Sequence, residues 1–146
     1  MKLSVLVVLF LIRATSAFFL QGSPTVFNGK GTVHCGITNN WWCFTVSVFE
    51  RDFPFRDDKI DSFGTTCTRQ PSHNYTLHGT QNGDAGFWNT FYELDFYITH
   101  NCTSQGAKMR QIRRATQYAP TSASYVEIKP WNSSIFNLGQ ETIGLF

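Results

Sequence analysis

The sequence is poor in charge and, beyond its first residues, holds no long apolar run. Only 15% of its 146 residues are charged, against 42% hydrophobic and 16% aromatic, a balance that excludes a disordered chain. That length leaves room for one ordinary domain and not two. A basic excess is also missing. Of 12 basic and 10 acidic residues, Lys2 and Arg13 fall in a segment expected to be removed, leaving ten of each. A dedicated nucleic-acid binder carries a surplus of base, so that class is set aside. Equally absent are a Gly-x-Ser-x-Gly turn, paired Cys or His at zinc spacing, an internal repeat, a low-complexity tract and a dividing linker. No apolar run of membrane length follows residue 17, and the chain closes on Gly144-Leu145-Phe146 rather than a retention or lipid-anchor signal.

What is present starts with a targeting signal. Met1-Lys2 gives a short basic start, Leu3 to Ile12 is apolar except for Ser4, and Ala14-Thr15-Ser16-Ala17 offers small residues for cleavage. The expectation is a signal peptide over 1–17, a domain over 18–146 beginning at Phe18, and a secreted, extracellular protein with no transmembrane segment. In that oxidising compartment Cys35, Cys43, Cys67 and Cys102 are expected to form two disulfides, with three connectivities open. Asn74-Tyr75-Thr76, Asn101-Cys102-Thr103 and Asn132-Ser133-Ser134 are acceptors for N-glycosylation. Asn101 is the poorest of them, because its neighbour is a cysteine expected to be bridged.

The remainder reads as strands and turns. Gly29, Gly31 and Gly36 bracket a short strand at Thr32 to Cys35, and Phe44 to Phe49 places Phe44, Val46 and Val48 on one face. Tyr92, Leu94, Phe96 and Ile98 alternate with Glu93 and Asp95, which are expected to face water. Tyr75 to Leu77 is a shorter piece ending at His78-Gly79, and Asn82-Gly83 marks a turn. Ser124 to Lys129 and Ser134 to Leu138 complete about seven strands. Ala107 to Thr116 reads equally as a short helix, with Arg110, Arg113 and Arg114 on one face, or as a further strand. The fold class that follows is all-β: an antiparallel sandwich of seven to eight strands with at most one short helix.

The order of several short motifs resembles the transthyretin-like proteins of nematodes, small secreted β-sandwiches. The Gly-x-(Leu/Val)-x-Cys opening is matched by Gly31-Thr32-Val33-His34-Cys35. Val46-Ser47-Val48-Phe49-Glu50-Arg51-Asp52, followed by Asp57-Asp58, matches a strand leading to an acidic turn. Asn74-Tyr75-Thr76-Leu77-His78-Gly79 matches Gly-x-Phe-x-Leu-x-Gly, with Asn74 as the residue that best tolerates a left-handed backbone in place of Gly. Tyr97-Ile98-Thr99-His100-Asn101-Cys102 and Asn137-Leu138-Gly139 echo the two closing motifs. The resemblance runs from about residue 29 to 145. It departs in lacking a cysteine soon after Cys102, while Cys43 and Cys67 are the chain's own. It implies a transthyretin- or prealbumin-like sandwich and a Cys35–Cys102 bridge, which leaves Cys43 with Cys67.

Chemistry candidates are weighed against structural roles. The transthyretin fold also houses hydroxyisourate hydrolases, but their C-terminal Tyr-Arg-Gly-Ser is not present at Thr142 to Phe146. Ser72, His73 and Asp84 form a nominal triad without a nucleophile turn, and His34, His73, His78 and His100 read as surface or strand-edge residues. Asp52, Asp57, Asp58 and Asp61 are interleaved with Arg51, Arg56 and Lys59, which suits a salt-bridged turn better than a calcium site. No catalytic residue, metal or cofactor is therefore expected, and a secreted hydrolase is the remote alternative. Trp41-Trp42 and Phe53-Pro54-Phe55 place large rings in turns, where they either close the ends of the sandwich or form an exposed patch. Lys108, Arg110, Arg113 and Arg114 are four bases with no acid between them, whereas residues 50–95 hold eight acids against four bases. Such a cluster meets anionic lipid headgroups or sulfated sugars, or simply faces solvent. The expectation is a non-enzymatic extracellular binding module for a small apolar or lipid ligand, or alternatively for a receptor or host protein.

Overall fold

A computed structural model describes residues 23–143 apart from 38, 53–55 and 84–89. Ten strands follow in order: β1 (Thr25–His34), β2 (Trp42–Glu50), β3 (Asp58–Ser62), β4 (Thr66–Thr68), β5 (Ser72–Gln81), β6 (Phe91–His100), β7 (Met109–Pro120), β8 (Tyr125–Ile128), β9 (Ser133–Ser134) and β10 (Gln140–Glu141). Among the described residues there is no helix. One sheet has the order β5-β1-β8, with β9 also on β1. The other has the order β10-β7-β6-β2-β3, with β4 also on β2.

Period-two alternation builds the core between the sheets. On β6 the side chains of Tyr92, Leu94, Phe96 and Ile98 are buried, and on β2 so are Phe44, Val46 and Val48. Phe27 and Val33 of β1, Tyr75 and Leu77 of β5, and Val126 and Ile128 of β8 come in from the facing sheet. Of the glycines expected to bracket β1, Gly36 lies beyond its end as expected, whereas Gly29 and Gly31 lie inside it. A Cβ on Gly29 would sit 2.9 Å from Cβ of Ile128, and one on Gly31 would sit 2.4 Å from the Tyr75 hydroxyl. Both are positions where a neighbouring strand's side chain lies across bare backbone, which lets β1 continue through them.

Two further expectations are corrected, for Asp95 and Asn74; an alternative left open at 107–116 is decided, and the antiparallel sandwich gains a detail. Residues 109–120 form strand β7, not a helix, because β6 has β2 on one edge and needs a hydrogen-bonding partner on the other. Asp95 does not face water: it is fully buried, and its Oδ2 accepts a hydrogen bond from Arg114 at 3.0 Å. Asn74 lies in strand β5 opposite Thr32, so it needs no left-handed backbone. Among the described residues the asparagines that do adopt one are Asn39 and Asn137. Finally, the sandwich is antiparallel except at β1, to which β8 and β9 run parallel. The chain reaches β8 from the opposite sheet through Thr121–Ser124, so no hairpin fixes its direction.

Two disulfides are present, Cys35–Cys102 and Cys43–Cys67. The first ties the end of β1 to the end of β6 and so joins the sheets. The second is a cross-strand pair between β2 and β4. Their sequence separations of 67 and 24 residues correspond, on a chain-entropy treatment, to about 4.4 and about 3.4 kcal/mol.

Candidate functional site

The basic cluster enters β7 at its start, where residues 109–111 are half-buried and 112–114 exposed. Register with β6 places Arg110 opposite Thr99, Ile112 opposite Tyr97 and Arg113 opposite Phe96. Alternation therefore sends Arg110 and Ile112 to the outer face, and Gln111 and Arg113 to the face shared with Phe96 and Ile98. Two of the guanidinium groups are held from behind. Arg110 Nε donates to Thr99 Oγ1 at 3.1 Å, and Arg114 donates to the buried Asp95. Arg113 is exposed.

An open groove of about 760 Å³ runs over this stretch of β7, bounded by residues 110–114 on one side and by Trp131, Ser133 and Leu138–Gln140 on the other. It gathers Arg110, Arg113 and Arg114, and among the described residues no carboxylate lines it. Because Asp95 offsets Arg114, the lining presents a net positive field of about two charges, next to the apolar surfaces of Ile112, Trp131 and Leu138. Lys108, the fourth base of the cluster, lies just before β7 and outside this lining.

The far wall is fixed by several independent contacts. Trp131 meets Phe96 edge-on at 5.8 Å, and its carbonyl accepts a hydrogen bond from Tyr75 at 2.9 Å. Ser133 donates to Gln111 at 3.2 Å. Gly139 has φ +113° and lies so close that a Cβ there would be 2.8 Å from the Arg110 carbonyl oxygen. That contact and the β10–β7 pairing press the wall onto the strand. One residue earlier, the Leu138 carbonyl lies 2.9 Å from Nε2 of His100, a buried histidine whose pKa burial pushes down. Beyond the groove Gln117 spans the sheets, donating to the Glu127 carbonyl at 2.9 Å and accepting from the Lys129 amide at 2.8 Å.

The aromatic pairs have a different fate. Trp42 is core, not patch: it is fully buried, stacks on Phe44 at 5.2 Å and donates its indole N–H to the Gln70 carbonyl at 2.8 Å. Trp41 is 61% exposed, with the Arg69 guanidinium 4.9 Å above its ring. Phe53 and Phe55 lie outside the described residues, as do Asp84 and the expected signal peptide. The acidic turn works structurally. Asp57 accepts from Tyr97, Asp61 from the His78 amide and Asp58 from Gln81. Among the described residues no group of three or more His, Cys, Asp or Glu is placed to hold a metal ion. Trp131, Leu138, Gly139 and Gln140 carry no local signal of a place in this groove, because only the later return of the chain brings them beside β7.

A family model described as Caenorhabditis elegans protein of unknown function (DUF870) matches residues 30–142. The chain belongs to that family. No curated protein and no solved structure matches it. In this DUF870 protein the matched stretch begins inside β1 and ends just past β10, so it contains both disulfides and the whole groove. No helix among the described residues is long and apolar enough to cross a membrane.

Proposed function

We propose that this DUF870 protein is a secreted, non-enzymatic binding module of transthyretin-like type whose ligand is a lipid with an anionic headgroup. The observation that carries this reading is the groove: three arginines without a lining carboxylate, set beside Ile112, Trp131 and Leu138. Arginine suits phosphate through paired donors in a fixed fork, and Trp suits the polar–apolar boundary. The groove is open along its length, so the ligand lies in it with its headgroup drawn by the field of the arginine stretch and is not engulfed. Two disulfides in a small domain support an extracellular site of action. The Cys35–Cys102 bridge, joining the cysteines shared with the transthyretin-like pattern, supports that kinship.

The test is co-sedimentation of the full chain with vesicles of phosphatidylcholine alone and of phosphatidylcholine with 30% phosphatidylserine. Binding is expected only to the second and should weaken as salt rises. Arg110→Ala with Arg113→Ala should reduce it about tenfold or more, at roughly 1 kcal/mol per base. Equal binding to both vesicles, or binding to soluble heparin alone, would overturn the reading.

A further inference from the structure

The sequence offers three glycosylation acceptors, of which Asn101 reads as the poorest. Two of them converge on a single residue. Thr32, on the outer face of β1, donates its backbone N–H to Oδ1 of Asn132 at 2.9 Å and its hydroxyl to Oδ1 of Asn74 at 2.9 Å. Asn74 and Asn132 are both exposed, and they line the same open cleft with Lys30, Gly31, Thr76 and Pro130. In each case the fold draws on the amide oxygen. The sugar is carried by the nitrogen.

Asn101 is placed otherwise. It is half-buried, its Oδ1 accepts from the Cys43 amide at 2.7 Å, and its own N–H donates to the Cys43 carbonyl at 3.1 Å. The next residue, Cys102, is fully buried in the bridge to Cys35. Asn101 therefore ties two strands beside a cystine, half-buried where Asn74 and Asn132 are exposed.

We propose that Asn74 and Asn132 both carry N-linked glycans, that these lie side by side over the outer face of the β5-β1-β8 sheet, and that Asn101 carries none. In each addition Nδ2 bonds to the anomeric carbon of a lipid-pyrophosphate-linked oligosaccharide. The carbon–oxygen bond to pyrophosphate breaks, its electron pair leaves with the phosphate, and Nδ2 gives up one proton. Segment 130–133 acts as a partition. Pro130 and Asn132 line the glycan-side cleft, whereas Trp131 and Ser133 line the arginine groove. The glycans thus cover one face without occupying the groove.

The proposal rests on the secretory part of the reading above, and the test separates the two. The full chain is secreted from insect cells and mapped by mass spectrometry after peptide-N-glycosidase treatment in heavy-oxygen water. An N-terminal peptide beginning at Phe18 reports passage through the secretory route. Conversion to Asp is expected at positions 74 and 132 and not at 101, and Asn74→Gln and Asn132→Gln should each remove one glycan mass. Lys30, in the shared cleft, should be acylated several-fold more slowly before native deglycosylation than after it, with exposed Lys59 on β3 unchanged. Sugar at Asn101, sugar at fewer than two of the other sites, or no protection of Lys30 would overturn the proposal even where Phe18 is found. A chain retaining Met1 would overturn both readings.

Discussion

Tyr75 occupies the space that a side chain at Gly31 would need. The two are register partners on β5 and β1, and a Cβ on Gly31 would fall 2.4 Å from the Tyr75 oxygen. Their contact does more than fill the core, because the same hydroxyl donates to the Trp131 carbonyl and so holds one wall of the arginine groove. Gly31→Ala is expected to lower stability by about 1–3 kcal/mol through overpacking, measured by urea denaturation. Tyr75→Phe should cost only about 1 kcal/mol, the worth of one hydrogen bond, while weakening vesicle binding. A neutral Gly31→Ala would show that Tyr75 swings aside freely.

The two adjacent tryptophans should behave as opposites. Trp42→Ala removes a fully buried ring that stacks on Phe44 and should cost about 3–5 kcal/mol. Trp41→Ala touches an exposed ring and should change stability by no more than about 0.5 kcal/mol. Thermal melts of the two variants decide the matter, and equal losses would contradict the assignment.

Sequence pattern alone located much of the core and little of the site. The alternation Tyr92, Leu94, Phe96, Ile98 marks the buried face of β6 correctly, since a strand with one wet face has no other way to bury its rings. Asp95 breaks that logic because an arginine from the next strand reaches it, a pairing that depends on register and not on local pattern. The basic run in 108–114 fits a helix face as well as a strand, and the free edge of β6 decided between them. Trp42 was ambiguous for a related reason: whether a ring beside a turn folds inward depends on the backbone carbonyl that awaits its N–H, here that of Gln70.

Arg114 should matter to stability more than an ordinary surface arginine. Its side chain is 54% exposed but its partner Asp95 is fully buried. Arg114→Ala is expected to cost about 1–2 kcal/mol, below the range for wholly buried pairs because water already screens the guanidinium. Arg113→Ala should be nearly neutral in the same urea titration while reducing vesicle binding. A loss of equal size in both variants would sink the distinction.

Burial of His100 gives stability a dependence on pH. Its pKa is lowered in the fold, chiefly by desolvation, so the unfolded chain takes up a proton that the folded chain refuses. This contribution is complete above the unfolded value of about 6.5 and declines as pH falls towards the folded value, by at most about 1.4 kcal/mol per pH unit. Urea midpoints taken from pH 8 to pH 5 should show the decline. His100→Gln, which keeps a donor for the Leu138 carbonyl but does not titrate, should flatten it. An unchanged slope in that variant would assign the effect elsewhere.

The parallel pairing of β8 and β9 with β1 has a consequence for biosynthesis. Of the described strands β1 is the first to emerge from the ribosome, yet it lies between β5 and β8, and β8 is made about a hundred residues later. Until then β1 presents one unsatisfied edge along Val26–Gly29 and again at Val33–His34. Contacts of such long sequence separation form slowly, because the loop must close before the pairing rewards it. A nascent chain stopped before Tyr125 would therefore leave β1 as an open, aggregation-prone edge, and the segment from Tyr125 to Ser134 acts as an intramolecular guard for it.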